Sequence, residues 1–260
     1  MSAAADTVVL ERRGAIARLT VARADSGNAL RGADMLLLAA LFRQCLADPE
    51  IRVIVLSGRG PKFFCAGADI AELASGLPDI GVHIRKWHEV VDLIEASEKP
   101  VIAAINGVAV GGGLELALAC HQRIAVAGIR LGLPELKVGL FPAAGGVRRL
   151  TRLIGAAQTL NLVMSAELIT AEAAQQKGII DQVCPAAEFH DTVQQIAERI
   201  AEFEPNAVRA VLACARTSAL GIDSNDLVVS LLRECYATPR NREVLQGFMS
   251  RRRSGSGKPK

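Results

Sequence analysis

Residues 100–120 read PVIAAINGVAVGGGLELALAC. The first ten are almost all apolar, with Val and Ile prominent, and predict a buried strand. Glycines at 111–113 turn the chain, and the run of Leu and Ala beyond them predicts a helix opening near Gly113. A buried strand passing through a glycine turn into an apolar helix points to α/β architecture. The alternation extends in both directions. VIVLSG (53–58) and RIAVA (123–127) are further buried strands, and DMLLLAALFRQCLA (34–47) is a helix with an apolar face that stops at Asp48-Pro49. A long loop separates residue 58 from a helix running from about Gly81 to Glu98. TVVL and IARLTV, at 7–10 and 16–21, flank ERRGA and predict a hairpin. After Pro142 the pattern is mainly helical, with GIIDQVC (178–184) as a late strand, and from Phe189 to Arg252 only helical segments remain. The expected division is an α/β core over 1–195, a helical region over 196–253 and a disordered tail over 254–260.

Composition narrows the function. The 260 residues suffice for one full domain with a small appendage. Half are hydrophobic but only 3% aromatic, so the core is expected to be aliphatic. Thirty Lys and Arg against 27 Asp and Glu leave a formal charge of +3, much of it in the last ten residues. With one Trp and one Tyr to stack on bases, this does not describe a nucleic-acid-binding surface. The six cysteines are scattered without a CxxC pair or a Cys/His cluster, which predicts reduced thiols and neither a disulfide frame nor a metal site. No apolar run reaches 18 residues, and the first 14 residues lack a basic-then-apolar leader, so the expectation is a cytoplasmic protein that does not enter a membrane.

Two stretches set small residues beside one acid, KFFCAGADI (62–70) and AVGGGLELAL (109–118). The second is neither a dinucleotide fingerprint nor a phosphate loop, since it lacks both G-x-G-x-x-G and Gly-Lys-Ser/Thr. Its glycines leave two readings open. They serve close helix–strand packing, or they let a ligand reach the unpartnered first N–H groups of a helix, where developing negative charge is stabilised. Residues 66–68 are a second patch of accessible main chain or an ordinary turn. Cys65, without a nearby histidine, reads as a small filler residue.

Glu115 is surrounded by Leu114, Leu116 and Leu118 on a helix with no wet face. An unpaired carboxylate there is costly, so the residue is protonated, paired with an arginine, or kept for chemistry. Glu135 repeats the anomaly in LGLPELKVGLFP (131–142). Two such acids suggest acid–base work on a neutral substrate. The four histidines are expected to be solvated, His83 and His88 within a charged helix and His121 and His190 at element ends.

Together these residues resemble the enoyl-CoA hydratase/isomerase (crotonase) family. The matching elements are GNAL (27–30) and residues 53–73, 99–125, 131–155 and 169–183, in the family's order and spacing. The resemblance implies a spiral of repeated strand–strand–helix turns followed by C-terminal helices that trimerise, and a homotrimer or hexamer. It implies an enoyl-CoA hydratase with no metal, coenzyme A entering as part of the substrate. Ala68 and Gly112 would supply the oxyanion-hole N–H groups, Glu115 would activate water, and Glu135 would protonate the α-carbon. Ala66, Ala68, Asp69, Ile70 and Gly112 would border the acyl-CoA, with Lys62 and Arg251 near its phosphates. Relatives that isomerise usually change one acid, so a Δ3,Δ2-enoyl-CoA isomerase is the alternative, and a non-catalytic acyl-CoA-binding scaffold a further one. The sequence departs from the family at His121-Gln122, where an acid is familiar, and at PAAGG (142–146), where Ala143 replaces a glycine. Alanine serves there if the position gives only its N–H to water, and not if it needs positive φ.

Overall fold

A computed structural model describes residues 6–222 and 224–255. The hairpin pairs β1 (Val8–Arg13) antiparallel with β2 (Ile16–Val21) about a turn at Gly14, whose φ is 58°. The arginines of ERRGA thus belong to the edge strand, where exposed charge discourages pairing with other chains. Helix α1 (Gly32–Ala47) buries Met35, Leu38, Ala39, Phe42 and Cys45, spaced to fall on one face. It ends just before Asp48-Pro49, as proline disfavours helical geometry in its predecessor.

The centre of the chain repeats a strand–strand–helix turn. The first turn is β3 (Val53–Gly58), β4 (Phe63–Cys65), then α2 (Ile70–Ala74) and α3 (Ile80–Glu95). The second is β5 (Val101–Ile105), β6 (Val108–Val110) and α4 (Gly112–Ala119). The third is β7 (Gln122–Val126), β8 (Arg130–Gly132) and α5 (Gly146–Ser165). Then follow β9 (Ile169–Thr170), α6 (Ala171–Gln176), β10 (Gln182–Cys184) and α7 (Phe189–Glu202). The first strand of each turn enters a six-stranded sheet ordered β1-β2-β3-β5-β7-β10, and the second enters a four-stranded sheet ordered β4-β6-β8-β9. This is the expected spiral of ββα turns.

The single strand expected over residues 100–109 is therefore two strands in different sheets. The break at Asn106-Gly107 has a local cause. The Asn106 side chain accepts from the Gly58 N–H and donates to the Gly58 carbonyl, both at 2.9 Å, tying the end of β5 to the end of β3. A methyl group on Gly107 would fall 2.5 Å from the Lys62 carbonyl carbon, so only glycine lets the main chain cross there. Strands β4, β8 and β9 and helix α2 are too short, at two to five residues, to show periodicity in sequence.

The core is less purely aliphatic than composition suggests. Trp87, Phe42, Phe64 and Phe189 are fully buried among Leu19, Leu30, Leu38, Ile54 and Ile102. Cys45, Cys65, Cys120 and Cys184 are buried, and all six cysteines are free. The chain divides into two compact units between Ile200 and Ala201, within the last turn of α7 and not at 195/196. The second unit contains α8 (Pro205–Ala219), α9 (Asn225–Ala237) and α10 (Pro239–Gly255). Residues 254 and 255 of the expected tail are in α10, and 256–260 lie outside the described residues. Among the described residues no helix is long and apolar enough to cross a membrane.

A methyl group on Gly113 would lie 2.0 Å from the Cys65 carbonyl oxygen, whereas one on Gly247, within α10, meets nothing within 4 Å. Gly113→Ala is expected to destabilise the chain by about 3 kcal/mol or more. Gly247→Ala should be neutral or stabilise by up to about 1 kcal/mol. Urea unfolding midpoints of the two variants check both values.

Candidate active site

The two glycine-containing stretches meet because β4 and β6 are parallel neighbours, with Phe63 opposite Val108 and Cys65 opposite Ala109. Their C-terminal ends lie side by side, the usual position for sites in sheets of this kind. Gly67, at φ 91°, sits against the start of α4, and a methyl group there would fall 2.9 Å from the Gly112 nitrogen. Ala68 forms an isolated bridge to Leu30. The Leu30 N–H donates to Gly67 O at 2.8 Å and the Asp69 N–H to Leu30 O at 3.0 Å, so the Ala68 N–H is left out of the ladder. Gly111, at φ 55°, turns β6 into α4, and Gly112 opens the helix with a free N–H. Neither the Ala68 nor the Gly112 N–H has an acceptor among the described residues. Both residues line one cavity of about 490 Å³.

The acids open into the same space. Glu115 is only 3% exposed. Its Oε1 accepts the Gly146 N–H at 2.7 Å, and among the described residues no arginine pairs with it. Burial pushes its pKa up to about 7; the Gly146 N–H opposes that rise and the nearby Glu135 carboxylate adds to it. Glu135 begins a single 3₁₀ turn, Glu135–Val138, directly after Pro134. It is half-buried, its Oε2 has no hydrogen-bond partner, and burial raises its pKa as well. A methyl group on Gly111 would sit 3.1 Å from Glu135 Oε1, which places this carboxyl beside the turn carrying the Gly112 N–H.

Ala143 lines the cavity too. The non-glycine residues with positive φ, among those described, are Asn28 and Ala166, so alanine at 143 is unstrained. The doubt raised by PAAGG is removed on conformational grounds. The rest of the expected binding set divides. Ala66 and Ile70 line the cavity. Asp69 does not. Its carboxylate caps α2 at the Ala71 N–H (3.0 Å) and pairs with Arg23 (2.9 Å); burial notwithstanding, these partners hold its pKa below the usual range. Lys62 is exposed and outside the cavity wall, and its carbonyl accepts the Val108 N–H. Arg251 lies in α10, with its side chain outside the described residues. Cys65 is buried, with its thiol pushed up to about 12 by burial, as befits a filler residue.

Helix α3 supplies wall residues that were not named among the expected site residues, notably His83, Ile84 and Trp87. The expectation of solvated histidines fails for His83, which is buried with Nδ1 3.8 Å from Glu72 Oε2. Its position four residues before Trp87 and seven before Val90 puts it on the buried stripe of α3, and that spacing was the available signal. His88 is half-buried, and its Nε2 lies 2.8 Å from the Ala143 carbonyl. His121 Nδ1 accepts the Val101 N–H at 3.0 Å.

A family model described as enoyl-CoA hydratase/isomerase matches residues 11–254. The chain is 32% identical to a short-chain-enoyl-CoA hydratase of Clostridium acetobutylicum, covering 95% of this chain and 96% of that relative. It is 34% identical to a crotonyl-CoA hydratase of Syntrophomonas wolfei, covering 96% and 97%. Among solved structures, an enoyl-CoA hydratase from Bacillus anthracis matches with a TM-score of 0.88 at 31% identity, covering 94% of this chain and 96% of that one.

The Glu115 carboxyl has a pKa of about 7 in the folded chain against 4.5 for an ordinary glutamate. The folded state therefore binds more protons than the unfolded state between those values, and stability falls as pH rises through that window. Glu115→Gln removes the loss. It should be more stable than the parent by about 2–3 kcal/mol at pH 8 and by only a few tenths at about pH 4.5. Urea denaturation at the two pH values measures this, and an equal difference at both contradicts it.

Proposed function

The chain belongs to the enoyl-CoA hydratase/isomerase family, and on that premise we propose that it is an enoyl-CoA hydratase. It adds water reversibly to a trans-2-enoyl-CoA thioester to give the 3-hydroxyacyl-CoA. One observation carries the reading: two N–H groups without acceptors and two carboxyls with raised pKa converge on a single cavity.

In this reading the Ala68 and Gly112 N–H groups donate to the thioester carbonyl oxygen. As the water oxygen bonds to the β-carbon, the double-bond electrons shift toward the carbonyl. The charge gathering on its oxygen meets two fixed donors, each worth about 3 kcal/mol. Glu115, ionised, takes a proton from the water, and Glu135, protonated, gives one to the α-carbon. One proton passed back from Glu115 to Glu135 restores the starting state. Burial raises the pKa of both carboxyls, which suits general acid–base work. The Ala143 main chain is assigned to the attacking water. Ala66, Ala68 and Ile70, which line the cavity, border the coenzyme A moiety.

The remaining wall, with Leu73, Ile84, Trp87, Leu140 and Phe141, is mostly apolar apart from His83 and suits a hydrocarbon acyl tail. Each methylene buried there contributes about 0.8 kcal/mol. In the C-terminal unit Leu220, Ile222, Val228, Leu232 and Tyr236 are exposed, which supports assembly into a homotrimer or hexamer, and light scattering on the purified protein tests the assembly.

Loss of conjugated-enoyl absorbance is the direct assay. Turnover of crotonyl-CoA is expected, with kcat/KM rising about threefold to fourfold per added methylene until the wall is filled. Glu115→Gln and Glu135→Gln should each lower kcat by about 10²–10⁴. An isomerase would tolerate one of the two losses, and a scaffold would bind acyl-CoA without turnover. If enoyl-CoAs from four to ten carbons all remain unchanged, the hydratase reading fails.

A further inference from the structure

The turn between Pro142 and Gly146 presents its Ala144 and Gly146 N–H groups to Glu115, and the carbonyls of residues 143–145 are each held by a donor. The C=O and N–H of one trans peptide point in opposite directions on a rigid plane, so fixing a carbonyl aims the next residue's N–H. The Ala143 carbonyl accepts from His88 Nε2 at 2.8 Å. A carbonyl can only accept, so Nε2 carries the proton, in the neutral and the charged ring alike. The Ala144 carbonyl accepts from Arg149 Nη1 at 2.8 Å, and the Gly145 carbonyl from the Arg149 N–H at 3.0 Å. Arg149 is itself fixed. It is 3% exposed, and its Nη2 donates to Glu95 Oε2 at 2.6 Å. Gly145, at φ 93°, leaves room for the guanidinium, which a methyl group would approach to 2.3 Å. On the far side of these peptides, the Gly146 N–H donates to Glu115 Oε1 and the Ala144 N–H faces the same carboxyl.

We propose that His88 and Arg149 are positioning residues of the hydration reaction, pinning the 143–145 carbonyls so that the N–H groups of the turn aim at Glu115. The proposal rests on the hydratase reading for its kinetics and on geometry alone for the clamp. His88 does not line the cavity. It acts through the Ala143–Ala144 peptide, whose N–H favours ionised Glu115. The charged groups facing Glu115 are Glu135 and Arg149, the latter paired with Glu95 and Asp92 of α3.

The test compares His88→Ala, which removes the donor, with His88→Gln, whose side-chain amide can reach the same carbonyl and does not titrate. Two measurements are made on the full chain. Amide hydrogen exchange over residues 143–146 is expected to quicken in His88→Ala and to stay near the parent rate in His88→Gln. With crotonyl-CoA, His88→Ala should lose about tenfold or more in kcat, hold KM within about twofold because no substrate contact is lost, and move the acid limb of its kcat/KM profile to higher pH. His88→Gln should restore all three. Unchanged exchange in His88→Ala overturns the clamp. Faster exchange with an unshifted pH profile, or equal defects in both variants, overturns the positioning role. A parent protein without hydratase activity refutes the function instead, and the exchange comparison still judges the clamp.

Discussion

The site depends on how closely two pieces of main chain approach. Where β4 runs out beside β6, the Cys65 carbonyl presses on Gly113 and Gly67 lies against the Gly112 nitrogen, with no space for a side chain at either glycine. Trp87 closes the third side, since a methyl group on Gly112 would fall 2.6 Å from its ring. This packing leaves the Ala68 and Gly112 N–H groups, on residues that line the cavity, without an acceptor among the described residues. Free buried donors are expensive in a folded protein, so a pair of them facing one space is informative about what enters it. Positioned in advance, they need no reorganisation when charge appears on a ligand oxygen.

The acids obey the same economy of exposure. Glu115 is enclosed by leucines on α4, and Glu135 is delivered from the opposite wall by a proline-led 3₁₀ turn. Burial raises the pKa of each, and for Glu115 the N–H groups of the 143–146 turn limit the rise. That turn is anchored by His88 and by Arg149, whose charge is met at Glu95. Burial opposes ionisation of Glu95, but Arg149, Arg148 and Arg152 together hold its pKa below the ordinary value. The chain thus lowers the pKa of one carboxyl that secures the frame and raises the pKa of two others beside the cavity.

Much of this was legible in sequence, for identifiable reasons. The long strands β2, β3, β5 and β7 and helices α1, α3 and α4 announce themselves through apolar patterning, because they are buried on one face or on both. The acids were legible as chemical misfits, Glu115 among leucines and Glu135 in an apolar loop. What stayed hidden depends on tertiary contact. The switch between sheets at Asn106-Gly107 follows from the approach of Lys62 and Gly58, which no local pattern encodes. His83 reads as part of a charged helix until α3 is seen to bury that face. Asp69 has the chemistry of a ligand-binding residue, yet its carboxylate is engaged by Arg23 and by the start of α2. Ala143 replaces an expected glycine without strain because the turn's positive φ falls on Gly145.

The central claim is that two main-chain donors hold a thioester oxygen while the Glu115 and Glu135 carboxyls flank the carbons next to it. A crystal structure with 3-hydroxybutyryl-CoA tests it most directly. The prediction is a thioester oxygen about 2.7–3.1 Å from both the Ala68 and Gly112 nitrogens, with the 3-hydroxyl toward Glu115 and the α-carbon toward Glu135. A thioester oxygen bonded to neither nitrogen, or a hydroxyl directed away from both acids, would contradict it.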